Sequence, residues 1–376
     1  MTFLTIETRV TEAHHPRDSP AAVVSPDDRL RLVYNVYTDN RPESTKNASE
    51  DEGMNLVFLP GAQITKEVWE YMIELSFNYF GSKLNKCISV DQVHVGDSYK
   101  LNDGKLTGTV VWSDCAKDTI KVVKELNLKG PTIAIGHSMS GTIALFCAHY
   151  EPFLFDSLVV IDPVIFMGDR EFFHNENVIR GSHKVFSGVY RQARNTFKSR
   201  SEFETFHKTK TFAREFHPRV LESHLKGIAE NRPDGSVAMK APREMQTAQY
   251  MSGGYSMRGA LAFFKLLDLE VLHIAPEVAD WNVPTATPAI RETFQYCTPA
   301  DIVGGGHNCP YTMPDETFAA MKDFIERRHK RGVEILSELN ARRGISDNER
   351  KSIMTEDVQK ELEILRQGKR RFYAKL

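Results

Sequence analysis

The stretch "TIAIGHSMSGTIALFCAHY", residues 132–150, carries the strongest structural signal in this chain. It begins with a short apolar run that predicts a buried strand and ends with a longer apolar segment that predicts a buried helix. Gly136, Ser138 and Gly141 lie between the two and predict a sharp turn that lifts Ser138 above the edge of a sheet. A serine in this context is a candidate nucleophile. Ser140 stands where the G-x-S-x-G pattern has its second glycine, and it is one hydroxymethyl group larger.

The composition limits which classes of protein are possible. The chain has 376 residues, a net charge of -2 and 41% hydrophobic residues, which is ordinary for globular proteins. A nucleic-acid partner is not expected, because there is no basic excess to bind phosphates. No run of about 18 apolar residues is present, so a membrane span is not predicted. Five scattered cysteines without C-x-x-C spacing argue against a disulfide framework and a zinc site, and we expect no metal and no cofactor.

Strand and helix patterns alternate along most of the chain. Strands are predicted over 29–38, 54–61, 86–92, 131–138, 155–164, 269–277 and 300–307. Helices are predicted over 64–80, 112–128, 141–150 and 315–339. This alternation predicts the α/β class, with right-handed crossovers and a mostly parallel central sheet. Residues 167–265 interrupt the pattern with polar helical stretches, and they predict a helical cap of about 100 residues.

The patterns predict five segments along the chain. The first part of the α/β core covers 28–166, the helical cap covers 167–265 and the second part of the core covers 266–330. Residues 1–27 are expected to be an N-terminal extension. Residues 331–376 are expected to be a charged, helical C-terminal extension.

Several residues at strand ends are candidates to assist Ser138. His307 follows the glycine-rich stretch "IVGGG", whose flexibility lets a loop bring an imidazole against the serine. His94 is the next candidate base. Asp162 in "VVIDPV" and Asp280 in "PEVADWNVP" each follow a predicted strand and are both candidate acids, with Glu277 as a weaker third.

Several stretches together resemble the α/β-hydrolase superfamily over about residues 28–330. They are "FLPGAQ" (58–63), "VDQVHVGDS" (90–98), "GHSMSG" (136–141) and "GGGH" (304–307). The resemblance implies the α/β-hydrolase fold, with the cap inserted between late strands. It also implies a serine nucleophile, an acid and a histidine in that chain order.

The same resemblance implies an oxyanion hole. Its donors would be the backbone N–H groups of Ala62 and Met139, and Gln63 would line the same pocket. Pro60 replaces the histidine that usually stands in the oxyanion loop, but the chemistry requires only a backbone N–H there.

The chain is most similar to a fungal branch of serine hydrolases that includes a peroxisomal lipase and toxin-pathway hydrolases. In that branch the residue before Pro163 tends to be acidic, which favours Asp162 over Asp280. The resemblance implies hydrolysis of acyl esters of the lipase or carboxylesterase kind. The alternatives are an acyl-CoA thioesterase, a secondary-metabolite hydrolase or cyclase with the same triad, and a non-catalytic peroxisomal binding protein.

The two ends of the sequence lead to an expectation about location. The N-terminal residues lack the apolar segment of a secretory signal, so secretion is not expected. The sequence ends in Ala374, Lys375 and Leu376, a tripeptide similar to the S-K-L peroxisomal address. We therefore expect a peroxisomal matrix protein whose partners are a small acyl substrate and the peroxisomal import receptor. The oligomeric state is not predicted.

Overall fold

A computed structural model describes residues 3–41, 52–165, 175–257, 260–278 and 285–368. The strands are β1 (Leu4–Glu12), β2 (Arg31–Asp39), β3 (Met54–Leu59), β4 (Leu84–Val90), β5 (Thr132–His137), β6 (Ser157–Ile161), β7 (Thr196–Phe197), β8 (Ala229–Asn231), β9 (Val237–Met239), β10 (Glu270–Pro276) and β11 (Cys297–Ile302). Eight of them form one sheet in the order β1-β2-β4-β3-β5-β6-β10-β11.

Helices cover both faces of this sheet and build the cap. They are α1 (Glu70–Phe80), α2 (Gly96–Asn102), α3 (Trp112–Leu126), α4 (Met139–Tyr150), α5 (Glu176–Gln192), α6 (Arg200–Lys210), α7 (Pro218–Gly227), α8 (Arg243–Met251), α9 (Gly253–Ser256), α10 (Ala260–Phe264), α11 (Ala286–Thr293), α12 (Cys309–Thr312), α13 (Pro314–Ala341) and α14 (Asp347–Arg366), with short 3-10 helices at Pro20–Ala22, Lys66–Trp69, Gly81–Lys83 and Phe212–Glu215. Within the described ranges, no helix has both the length and the apolar character that a membrane span requires.

The predicted mostly parallel sheet is confirmed. Only β2 runs against the other strands of the sheet, since it pairs antiparallel with both β1 and β4 while the remaining pairs are parallel. Residues 4–12, expected to belong to an N-terminal extension, form the edge strand β1 instead. Most of its side chains are exposed, so this strand has no apolar pattern and is defined by its pairing with β2.

The two faces of the sheet build two separate cores. Strand β5 illustrates the division, because Ala134 packs on one face while Ile133 and Ile135 pack on the other. The first face is covered by α3 and α4, and the second by α1 and the first half of α13. Burial on both faces explains why these strands are continuous apolar runs in the sequence.

The cap differs in part from the predicted helical insertion. Residues 175–257 form helices α5 to α9, but they also contain an antiparallel sheet in the order β7-β9-β8. Phe197, Phe203, Leu225 and Val237 are buried together in a small core of this sheet and its neighbouring helices. The strands are two or three residues long, too short to show an alternating pattern in the sequence.

A single residue, Ser138, connects β5 to α4. Its backbone has φ 56° and ψ -125°, which reverses the chain direction sharply between strand and helix. The turn brings the backbone of Ser140 against Gly136, where an added Cβ would lie 2.2 Å from the Ser140 carbonyl oxygen. Position 136 therefore accepts no side chain unless the turn opens.

We expect Gly136→Ala to destabilise the protein by about 2–3 kcal/mol, because the new methyl group meets backbone and not a movable side chain. The measurement is the free energy of unfolding from chemical denaturation. Gly181→Ala in α5 is the matched control, since a Cβ there contacts nothing within 4 Å. The control should be neutral or slightly stabilising. Equal stability of Gly136→Ala and wild type would contradict the described turn.

Candidate active site

The predicted turn places Ser138 at the carboxyl end of β5, with its side chain in a cavity beneath the cap. Its N–H donates to the Ile161 carbonyl at 3.0 Å, and its own carbonyl accepts from the N–H groups of Gly141 and Val164. These bonds hold the residue in its positive-φ conformation between two strands and a helix. Ser138 is 8% exposed, so the hydroxyl is shielded but reachable.

The structure brings His307 and Asp162 to the serine. His307 Nε2 lies 3.0 Å from Ser138 Oγ, and His307 Nδ1 lies 2.6 Å from Asp162 Oδ2. A carboxylate oxygen accepts, so Nδ1 carries the proton and the Nε2 lone pair accepts from the serine hydroxyl. Asp162 follows β6 with φ 39°, and its N–H is bound by the Ile274 carbonyl of β10. Three loops therefore place a serine, an imidazole and a carboxyl group in one hydrogen-bonded line.

The other described candidates, His94 and Glu277, lie elsewhere. Asp280 falls outside the described residues. Glu277 is exposed and accepts a hydrogen bond from the Gly304 N–H. His94 is buried beside Arg17 in a different, small cavity, and its burial lowers its pKa to about 3. Of the described candidates, only His307 and Asp162 are hydrogen-bonded in line with the serine.

The two predicted oxyanion donors share a cavity with the serine. Ala62 and Met139 line the same cavity as Ser138, and neither backbone N–H has a hydrogen-bond partner among the described residues. Met139 is also the first residue of α4, so its N–H lies at the positive end of the helix dipole. Free N–H groups at this position can stabilise a developing negative charge.

Gln63 is not among the residues that line the cavity around Ser138, contrary to what the family resemblance implied. Its backbone adopts φ 64° and turns the side chain toward the cap. There its N–H donates to Gln249 Oε1 at 2.6 Å, and its side-chain amide donates to the Gln246 carbonyl at 2.9 Å. Gln63 therefore connects the oxyanion loop to helix α8.

Ser140 has a defined role in the turn. Its Oγ donates to the Pro60 carbonyl at 2.5 Å, and the side chain is fully buried. A glycine at this position would lack that hydrogen bond between the turn and the loop that carries Ala62. The departure from the G-x-S-x-G pattern therefore adds a connection and leaves the serine geometry intact.

A second network, which no pattern in the sequence predicts, joins His137 to Tyr311. His137 Nε2 lies 2.7 Å from the His307 carbonyl, which only accepts, so Nε2 carries the proton. His137 Nδ1 therefore accepts from the Tyr311 hydroxyl at 3.1 Å, and this hydroxyl accepts from the Gly61 N–H. Burial, followed by the nearby His307, lowers the pKa of His137 well below its usual value, so the ring stays neutral. The network links the oxyanion loop to the His307 loop.

The cavity that contains Ser138, here called the serine cavity, has a volume of about 300 Å³. Its walls are mostly apolar, with Ile64, Trp112 and Val164 from the body and Val185 and Phe186 from α5 of the cap. The predicted targeting residues Ala374, Lys375 and Leu376 lie outside the described residues, so their role stays a prediction.

Comparison with known proteins identifies the family of the chain. Residues 56–320 match the model of the alpha/beta hydrolase family. The peroxisomal membrane protein LPX1 of Saccharomyces cerevisiae is 27% identical over 330 residues, which cover 82% of this chain and 84% of that protein. The type I acyl-CoA thioesterase mpaH' of Penicillium brevicompactum is 26% identical over 164 residues, which cover 43% of this chain and 37% of that enzyme.

A solved structure extends the likeness to nearly the whole chain. It is the peroxisomal alpha-beta-hydrolase Lpx1 of Saccharomyces cerevisiae, with a TM-score of 0.76 and 24% identity over 96% of this chain and 98% of that one. The family match alone spans more than half of the sequence and includes the serine turn, the Asp162 loop and His307. The chain therefore belongs to the alpha/beta hydrolase family.

Proposed function

We propose that this hydrolase is a serine esterase that cleaves acyl esters through Ser138, His307 and Asp162. The observation that supports this most strongly is the continuous hydrogen-bonded line from Ser138 Oγ through both nitrogens of His307 to Asp162 Oδ2. A serine hydroxyl alone is a weak nucleophile at neutral pH, and an adjacent oriented base is what activates it.

In the proposed acylation step, each group of the site has one role. Ser138 Oγ attacks the ester carbonyl while His307 Nε2 takes its proton. The resulting oxyanion is held by the N–H groups of Ala62 and Met139. Asp162 keeps the Nδ1 tautomer and stabilises the imidazolium. The imidazolium then protonates the departing alcohol, which leaves the acyl group on Ser138.

Deacylation repeats the sequence with water. His307 Nε2 takes a proton from water, the hydroxide attacks the acyl-enzyme carbonyl, and the carboxylic acid leaves as Ser138 recovers its proton. The apolar walls of the serine cavity suit an acyl chain. A volume of about 300 Å³ is at the lower end for ligand pockets, so the specificity constant should peak below palmitate.

We expect Ser138→Ala to lower kcat/KM on p-nitrophenyl esters, from acetate to palmitate, by at least about a thousandfold, because the covalent step is lost. Asp162→Asn should lower it by a similar factor, because the imidazole loses its orienting partner. Asp280→Asn and Glu277→Gln are the matched controls and should keep near wild-type activity. Full activity in Asp162→Asn with loss in Asp280→Asn would assign the acid to the later loop.

A serine-reactive phosphonate distinguishes the remaining outcomes. Labelling of Ser138 without hydrolysis of any ester would reject simple esterase action and direct attention to thioesters or to a cyclase. A folded protein whose Ser138 is not labelled would reject the serine hydrolase proposal and favour a non-catalytic binding protein.

A thioesterase is the second candidate, because the matched relative mpaH' is named as an acyl-CoA thioesterase. The same three residues would serve, with a thiolate as the leaving group. Octanoyl-CoA and p-nitrophenyl octanoate, assayed side by side with wild type and Ser138→Ala, separate the two activities. A higher specificity constant for the thioester would favour this second candidate.

We also propose a peroxisomal location, because the relative LPX1 is named as a peroxisomal protein. We expect an N-terminally fluorescent fusion to appear in peroxisomes of yeast cells. Deletion of Leu376 should return it to the cytosol, since the targeting receptor reads the terminal tripeptide. Release of the protein by alkaline carbonate would place it in the matrix, and retention would place it at the membrane. Import that is unaffected by the deletion would contradict the role of the tripeptide.

A further inference from the structure

A second cavity lies under the cap beside the serine cavity. This cap cavity has a volume of about 320 Å³, and Thr65, His207 and His224 are among the residues that line it. The two cavities share Val185, Phe212, Gln249 and Tyr250 in their walls. A substrate that reaches Ser138 with one end can therefore place its other end in the cap cavity once the shared side chains move.

Three side chains of the cap cavity carry buried polar atoms that lack hydrogen bonds. Thr65 Oγ1, both ring nitrogens of His207 and Nδ1 of His224 have no partner among the described residues. The three residues are 1%, 7% and 2% exposed, so bulk water does not solvate them freely. A buried polar group without a partner is costly, so these atoms would gain from a ligand group that reaches them.

The two histidines are neutral hydrogen-bonding groups in aromatic surroundings. Phe203 and Phe206 lie against His207, while Phe216 lies against His224. Burial lowers the pKa of His207 to about 4 and that of His224 to about 3. Each neutral ring keeps one N–H donor at neutral pH.

The charged side chains among the described lining residues of the cap cavity are both basic. Lys210 and Arg194 line it, and no aspartate or glutamate is among its described lining residues. Arg194 is already paired with Glu202, whereas Lys210 has no ion pair within the described part of the chain.

Three carboxylates, those of Glu67, Asp91 and Asp97, share the buried Lys66, and none of them is among the described lining residues of the cap cavity. Glu67 and Asp97 both form ion pairs with the buried Lys66, at 2.7 Å each. The described lining of the cap cavity therefore carries neutral histidines and the unpaired Lys210, and it carries no carboxylate.

We infer that the cap cavity binds an anionic group, a carboxylate or a phosphate, at the end of the substrate remote from the scissile carbonyl. Lys210 supplies the charge at the rim, and Thr65, His207 and His224 supply hydrogen bonds deeper inside. The inference rests on the proposed function for the position of the carbonyl at Ser138. It narrows the substrate class from acyl esters in general to esters or thioesters with a terminal anion.

Binding to the Ser138→Ala protein tests this independently of hydrolysis. Isothermal titration calorimetry compares two matched pairs of ligands. Monomethyl suberate and dimethyl suberate differ in one carboxylate. Octanoyloxyethyl phosphate and hydroxyethyl octanoate differ in one phosphate. We expect the anionic member of at least one pair to bind about five- to tenfold more tightly, in keeping with a partly exposed ion pair and additional hydrogen bonds. The pair that shows the preference identifies the anion.

Substitutions test whether the tighter binding of the anionic ligand arises in the cap cavity. Lys210→Gln, at an exposed position, should reduce it to about twofold or less, while Lys210→Arg should retain it. His207→Phe keeps a ring of similar shape and should also reduce it. Lys208→Gln is the matched control, because Lys208 is on the same helix, pairs with Glu204 and does not line the cavity.

Three results would overturn the inference. They are equal affinity within both pairs, absence of binding up to millimolar concentrations, and a preference that Lys210→Gln and His207→Phe leave unchanged. If His207→Phe fails to fold, Lys210→Gln still tests the inference, because Lys210 is exposed and its substitution should not disturb folding. Failure of the proposed function would appear separately, as wild-type protein that hydrolyses neither ester nor thioester.

Discussion

Ser138 adopts φ 56° and ψ -125°, a conformation that costs an L-residue roughly 1–3 kcal/mol. Its surroundings hold it there. Its N–H is bound to Ile161 at the end of β6, and its carbonyl accepts two further N–H groups. Asp162, the next residue after Ile161, is in turn bound to Ile274 of β10. The positions of the serine and the carboxyl group therefore follow from the stagger of three adjacent parallel strands.

Two buried hydrogen-bonded connections bring the oxyanion loop to this turn. Ser140 binds the Pro60 carbonyl, and Tyr311 joins the Gly61 N–H to His137. Because His137 also binds the His307 carbonyl, a shift in any of the three loops would break a hydrogen bond in another. Such fully bonded, buried networks favour one arrangement of the loops over others. This rigidity is what an enzyme needs to hold donors where negative charge will develop.

The cap is attached to the loop that carries Ala62, which lines the cavity around Ser138. Gln63 is bound by Gln249, and Lys240 of the cap pairs with Asp97 of the body at 2.7 Å. Helix α5 covers both cavities, yet none of its side chains is buried. It is therefore held less firmly than the body beneath it. Membership of the alpha/beta hydrolase family describes the fold and does not by itself identify the substrate.

Local patterns in the sequence were enough to predict strand β5, the turn at Ser138, helix α4 and the glycine-rich loop before His307. Apolar runs and the steric limits of a tight turn depend on residues that are neighbours in the chain. They can therefore be recognised in the sequence without knowledge of the tertiary structure. The edge strand β1 could not be predicted, because its side chains are exposed and its pairing with β2 defines it. Asp162 and Asp280 were equivalent by position alone, and the register of β6 against β10 is what brings Asp162 to the imidazole. The hydrogen bonds of Tyr311 with His137 and of Gln63 with Gln249 likewise join segments that are far apart in the chain. The sequence by itself was enough to predict the family and a candidate nucleophile. The contact of Asp162 with His307, the loop network and both cavities are visible only in the tertiary structure, because they depend on contacts between residues far apart in the chain.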